Sequence, residues 1–133
     1  MRHTNYKCNF GCPVEASLEV IGGKWKGVIL FHLLGGTKRF NELQRLMPNV
    51  TQRMLTRQLR ELEDDQVVLR QVYAEVPPKV EYSLTEFGKT LEPILHTLQG
   101  WGSEYLAKIM QLRQQRAEAT LTQDSARVKH VTQ

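Results

Sequence analysis

Cysteine is scarce in this 133-residue chain, which has only Cys8 and Cys12, both near its start. Structural zinc takes four Cys or His ligands, usually in two pairs. "CNFGC" has His3 nearby but no second pair, and His32, His96 and His130 are scattered. No metal is expected. No apolar run of about 20 residues exists to span a membrane. The N-terminal "MRHTNYKCNFGCPVEAS" lacks the apolar core of a secretory signal. A cytoplasmic protein with no membrane partner is expected, and there thiols stay reduced. Cys8 and Cys12 then read as free or reactive thiols. Also missing are a glycine-rich phosphate loop, HExxH, GxSxG and an apolar carboxylate pair. CxxC beside a βαβ pattern is missing too. Neither catalysis nor a cofactor is expected.

Charge is present without being extreme. The chain has 18 Lys+Arg against 14 Asp+Glu. That balance permits a polyanionic partner, and the placement of the charge has to decide. The length suits one domain.

Residues 1 to 11 are polar and unpatterned, a loose arm. Pro13 suits a first helical position, leaving Cys12 as N-cap. Val14, Leu18 and Ile21 mark one apolar face of that helix, and Gly22-Gly23 ends it. "KWKGVILFHLLGG" is apolar nearly all round, as a buried helix is, and His32 within it reads as a core histidine. "FNELQRLM" follows at helical spacing until Pro48. After a short turn, with Thr51 a plausible N-cap, comes "VTQRMLTRQLREL". Two short helices so joined are the sequence form of a helix-turn-helix. "VVLRQVYAEV" and "KVEYSL" read as two strands around Pro77-Pro78. A helical pattern resumes at Thr85, which Pro93, Gly100 and Gly102 are expected to kink or split. Beyond about residue 115 little apolar content remains, so a frayed tail is expected.

The second helix of the pair carries the strongest signal. At 100° per residue Leu55, Leu59 and Leu62 fall within about 60° of one another. Arg53, Arg57 and Arg60 cluster on the opposite side, with no carboxylate between them. A solvated face normally mixes signs so that i,i+4 pairs form. A helix that docks on its own domain and enters a major groove needs this division, apolar behind and basic in front. Thr51, Gln52 and Thr56 stand beside the arginines as further base or phosphate contacts. The acidic run Glu61, Glu63, Asp64, Asp65 falls at the far end, away from the groove. Arg70 and Lys79 flank the hairpin, where a wing places charge over neighbouring phosphates.

Five stretches together resemble one family, the HxlR-type winged helix-turn-helix transcriptional regulators, which are related to the MarR group. They are "CPVEASLEVIGGKWK", "RFNEL", "MLTRQLRELEDD", "PPKVEYSLTEFG" and "LQGWG". The resemblance implies an α+β fold, mainly α: a winged helix-turn-helix with a two-stranded β wing and a C-terminal dimerisation helix. Residues 1–11 would be an arm, 12–110 the domain and 111–133 a polar tail. It implies a homodimer, formed by the first and C-terminal helices, on double-stranded DNA carrying an inverted repeat. Some members sense electrophiles through a cysteine placed as Cys12 is, and an N-cap position favours a thiolate there. Cys8 lies outside that pattern. Gln66 departs from the family, in which glycine is common at the recognition helix's exit. Two other readings stay open from sequence: a protein-interaction module of winged-helix shape, and a small thiol redox protein.

Overall fold

A computed structural model describes residues 11 to 131. In chain order the elements are α1 (Pro13–Ile21), α2 (Lys26–Leu34), β1 (Lys38–Arg39), α3 (Phe40–Leu46) and α4 (Gln52–Asp64). They continue with β2 (Val68–Tyr73), β3 (Lys79–Leu84), α5 (Glu86–Lys89) and α6 (Glu92–Val131). The chain divides into two compact units, one ending at Leu95 and the other beginning at His96.

The first unit closes around α2, whose Ile29, Leu30 and Leu33 are buried. Leu43 of α3, Met47 and Val50 after it, Leu55, Leu59 and Leu62 of α4, Val67 and Val68 at the wing's base, and Tyr82 of β3 complete the core with Leu95. Each fully buried leucine stabilises by roughly 1.5–3 kcal/mol. The α4 leucines therefore clamp that helix in one rotational setting. His32 is half-buried at the margin of this core, edge-on to Phe31 at 6.2 Å. Burial, helped by the charge of Lys38, lowers its pKa below the ordinary histidine value.

Three elements differ from the sequence expectation. The wing is the expected β2–β3 hairpin, but a third strand joins it in the order β1-β3-β2. Lys38 and Arg39 pair with Tyr82 and Glu81; two residues are too few to show an alternation in sequence. The apolar face named for α1 is divided, which its periodicity does not show. Val14 and Leu18 are exposed, and only Val20, Ile21 and their neighbours at its end pack inward. Finally, α6 runs unbroken through Gly100 and Gly102 to Val131. The break falls earlier, between α5 and α6, so Pro93 lies in a first turn where its missing N–H costs nothing. The segment expected to fray is helical, and Arg116, Ala117, Glu118, Ala119 and Leu121 at its start are good helix formers.

The exit of α4 is held by backbone chemistry. The Val67 N–H donates to Leu62 O at 3.2 Å and the Gln66 N–H to Glu63 O at 2.9 Å. These two bonds make a Schellman cap, which requires the left-handed backbone found at Gln66, with φ 60°. Gln66 O accepts from the Thr85 hydroxyl at 2.7 Å, and Gly88 packs so closely that a Cβ would meet Val67 O. The cap is thus tied to the start of α5. Gln66→Gly should raise stability by about 0.5–1 kcal/mol, because glycine adopts this conformation without strain. Denaturant unfolding measures it, and a loss of stability would mean that the Gln side chain has an unseen role.

Candidate nucleic-acid interface

The helix-turn-helix consists of α3 and α4. Met47 caps α3 and Thr51 opens α4, with Pro48, Asn49 and Val50 between. Val50 is buried, and its carbonyl accepts from Gln44 Nε2 at 2.7 Å. The turn is therefore fixed both by packing and by a side chain of the preceding helix. Thr51 Oγ1 accepts from the Met54 N–H at 3.1 Å, capping α4.

On this frame α4 divides as its sequence does. Leu55, Leu59 and Leu62 are buried, while Arg53, Arg57 and Arg60 are exposed. An open depression of about 800 Å³ is lined by Thr51, Gln52, Arg53, Thr56, Arg57, Arg60 and Glu61 among the described residues. Every α4 residue nominated from sequence is in that group. The two threonines are not equivalent. Thr51 uses its oxygen in the cap, so its hydroxyl proton remains able to reach a phosphate. The Thr56 hydroxyl donates to Gln52 O at 2.8 Å, leaving it an acceptor and a methyl group.

Glu61 alters the sequence picture of a face free of carboxylates. Its Oε2 lies 2.8 Å from the ammonium of Lys26, a buried residue of α2. Its Oε1 lies 4.0 Å from Arg57 Nε, the i,i+4 contact that the spacing of the arginines had hidden. The rest of the acidic run is not uniformly exposed either. Burial pushes the Glu63 carboxyl above the usual carboxylate range, against the pull of Arg70 and Arg60. One sequence signal pointed at this arrangement: Lys26 stands in a helix otherwise apolar enough to be buried, and a buried lysine needs a carboxylate.

The wing residues separate. Arg70 pairs with Tyr82 and Lys79 with Tyr73. Paired residues share a face and successive ones alternate, so Arg70 and Lys79 are on opposite faces of the sheet. Arg70 is exposed within the field of Glu63. The Lys79 ammonium is 2.8 Å from Glu81 and lies 4.8 Å over the Tyr73 ring. The hydrogen bond to Glu81 raises its pKa. A phosphate contact from Lys79 would have to compete with both partners.

Cys12 is the N-cap of α1, exposed and a free thiol. It makes no side-chain cap bond; the Glu15 carboxylate instead accepts the Gly11 N–H at 2.9 Å. Lys24 stands over the Trp25 ring at 5.1 Å, while Lys7 and Cys8 lie outside the described residues. No group of three or more His, Cys, Asp or Glu among the described residues is arranged to hold a metal. No helix among them is long and apolar enough to cross a membrane.

Residues 20–110 match the model of the HxlR-like helix-turn-helix family. The HTH-type transcriptional regulator YdeP of Bacillus subtilis (strain 168) is 62% identical over 102 residues, covering 77% of this chain and 80% of that protein. Among solved structures, the redox regulator HypR in its oxidized form is 63% identical with a TM-score of 0.68, covering 70% of this chain and 96% of that one. The reduced form of the transcriptional regulator YodB from B. subtilis is 39% identical with a TM-score of 0.62, covering 71% and 93%.

Proposed function

Because the chain belongs to the HxlR-like helix-turn-helix family of transcriptional regulators, we propose that it acts as a cytoplasmic homodimer on an inverted-repeat operator. It has no catalytic role in this reading. The observation that carries it is the division of α4, with three leucines in the core and three arginines exposed on the face opposite. Arg53, Arg57 and Arg60, with Thr51, Gln52 and Thr56, enter the major groove. Arg70 adds a wing contact, and Lys79 adds one only by leaving Glu81. The dimer forms through the exposed apolar residues of α1 and α6, Val14 and Leu18 on one and Leu98, Trp101, Leu106 and Met110 on the other. The domain proper spans residues 12–110, with 1–11 as an arm and 111–133 as a tail. Titration of labelled duplex fragments from the native genome tests the reading. Binding should weaken steeply with salt, since each neutralised phosphate releases counterions. Salt-independent binding, or none, would leave the interaction-module reading.

HypR is a redox regulator with a solved oxidized form, and YodB is known in a diamide-treated form. They support a thiol role for Cys12, which is exposed at the start of the uncovered α1 face. An added group there would alter the dimer contact and with it the separation of the recognition helices, for which a few ångström is enough. Alkylation or diamide treatment should therefore change operator affinity in the wild type and leave Cys12→Ser unaffected. Equal response of both chains would move the sensing elsewhere.

A further inference from the structure

Glu61 is the one carboxylate among the described residues lining the basic depression of α4. A free anion there would oppose phosphate and hold Arg57 away from DNA. Its neighbour across the core contact is Lys26, whose side chain is 6% exposed, against 19% for Glu61 and 73% for Arg57. The two carboxylate oxygens thus face two cations of different kind. Oε2 meets a buried ammonium at 2.8 Å, where water screens little. Oε1 meets an exposed guanidinium at 4.0 Å, a distance and exposure at which ion pairs contribute little. Lys26 therefore has the stronger hold.

We propose that Lys26 is a positioning residue for DNA binding: by taking up the charge of Glu61 from behind the recognition helix, it leaves Arg57 available to the nucleic acid. The inference rests on the proposed reading of the α4 face as the DNA-binding surface. Remove the ammonium, and Glu61 draws on Arg57 in the same helix, already 4.0 Å from its Oε1. The guanidinium is then neutralised in place, and one positive charge is lost from the face. Lys26 touches no DNA in this scheme.

The test compares wild type, Lys26→Met, Glu61→Gln, Lys26→Met/Glu61→Gln and Arg57→Ala as full chains. The ligand is a fluorescent duplex of random sequence, titrated at several salt concentrations. Folding is checked for each by circular dichroism at the assay temperature. In the wild type the affinity should fall with salt, and Arg57→Ala should reduce the log–log slope by about one unit. Lys26→Met should show the same reduction, with affinity lowered about tenfold at moderate salt. Adding Glu61→Gln to it should restore the wild-type slope, whatever happens to its melting temperature. A merely structural role would change melting and leave the slope alone. If Lys26→Met does not fold, Lys26→Gln retains a donor for Glu61 without the charge and should show the same direction of change. A wild-type slope in the folded Lys26 variant, beside a reduced one in Arg57→Ala, overturns the inference alone. A weakened Glu61→Gln with unchanged slope also overturns it, since Glu61 would then contact DNA itself. A wild type that binds without salt dependence overturns the DNA reading on which it rests.

Discussion

Replacing Arg53, Arg57 and Arg60 together by alanine should remove detectable operator binding while the chain stays folded. All three side chains are exposed on α4, opposite the leucines that hold the helix to the core. Their loss therefore opens no cavity, and alanine favours a helix at least as well as arginine does. Exposed substitutions of this kind shift stability by about 0.5 kcal/mol or less. Their effect on binding is far larger. An arginine bidentate to guanine discriminates by about 1–3 kcal/mol, so three lose roughly 3–9 kcal/mol if they act independently, two to six orders of magnitude. The single variants separate their roles. One that contacts a base loses affinity for operator and little for scrambled duplex. One on phosphate weakens both and lowers the salt slope by about one unit. Anisotropy titrations read these differences, and a triple variant that binds like wild type would remove α4 as the recognition helix.

The second large effect should come from Trp101→Glu, expected to turn a dimer into a monomer. In α6 Leu98, Trp101, Leu106 and Met110 are all more than half exposed, and burial of such side chains is worth roughly 1.5–3 kcal/mol each. A glutamate there brings an unpaired charge into the contact, which costs several kcal/mol. Sedimentation equilibrium should show at least a hundredfold weaker association. Operator affinity should fall by about 10²–10⁴, the advantage lost when two half-sites are no longer bound by one linked particle. A truncation would be a poorer test. Cutting from Leu91 would also remove Leu91 and Leu95, which pack on the core of the first unit. A Trp101→Glu chain that sediments as a dimer, or a wild type monomeric at micromolar concentration, would contradict the proposed dimer.

Much of this was legible in the residues because local pattern and tertiary role agree. The α4 leucines and arginines share one spacing and differ in phase around the helix, and the helix docks as that phase requires. The exit at Gln66 was marked only through the resemblance, in which glycine is common at that place, and φ there is 60°. What stayed hidden depends on partners distant in sequence. Val14 and Leu18 make an apolar stripe, but a stripe does not say whether it faces its own core or another chain. β1 exists only because Tyr82 and Glu81 of β3 are there to pair with it. Glu61 was read as part of an acidic run away from the groove because Lys26, which holds it, is thirty-five residues away in another helix. Arg70 and Lys79 looked alike beside one hairpin, yet the register assigns them to opposite faces.

The central claim is that two copies of α4 read two half-sites of one duplex. Selection from a random duplex library with the purified wild-type chain, followed by sequencing of the bound pool, tests it most directly. The expected outcome is an inverted repeat whose half-site centres lie about 10–10.5 base pairs apart, one turn of DNA, and whose enrichment disappears with the arginine triple variant. A pool with no enriched motif, or with a lone half-site and no second at fixed spacing, would contradict it.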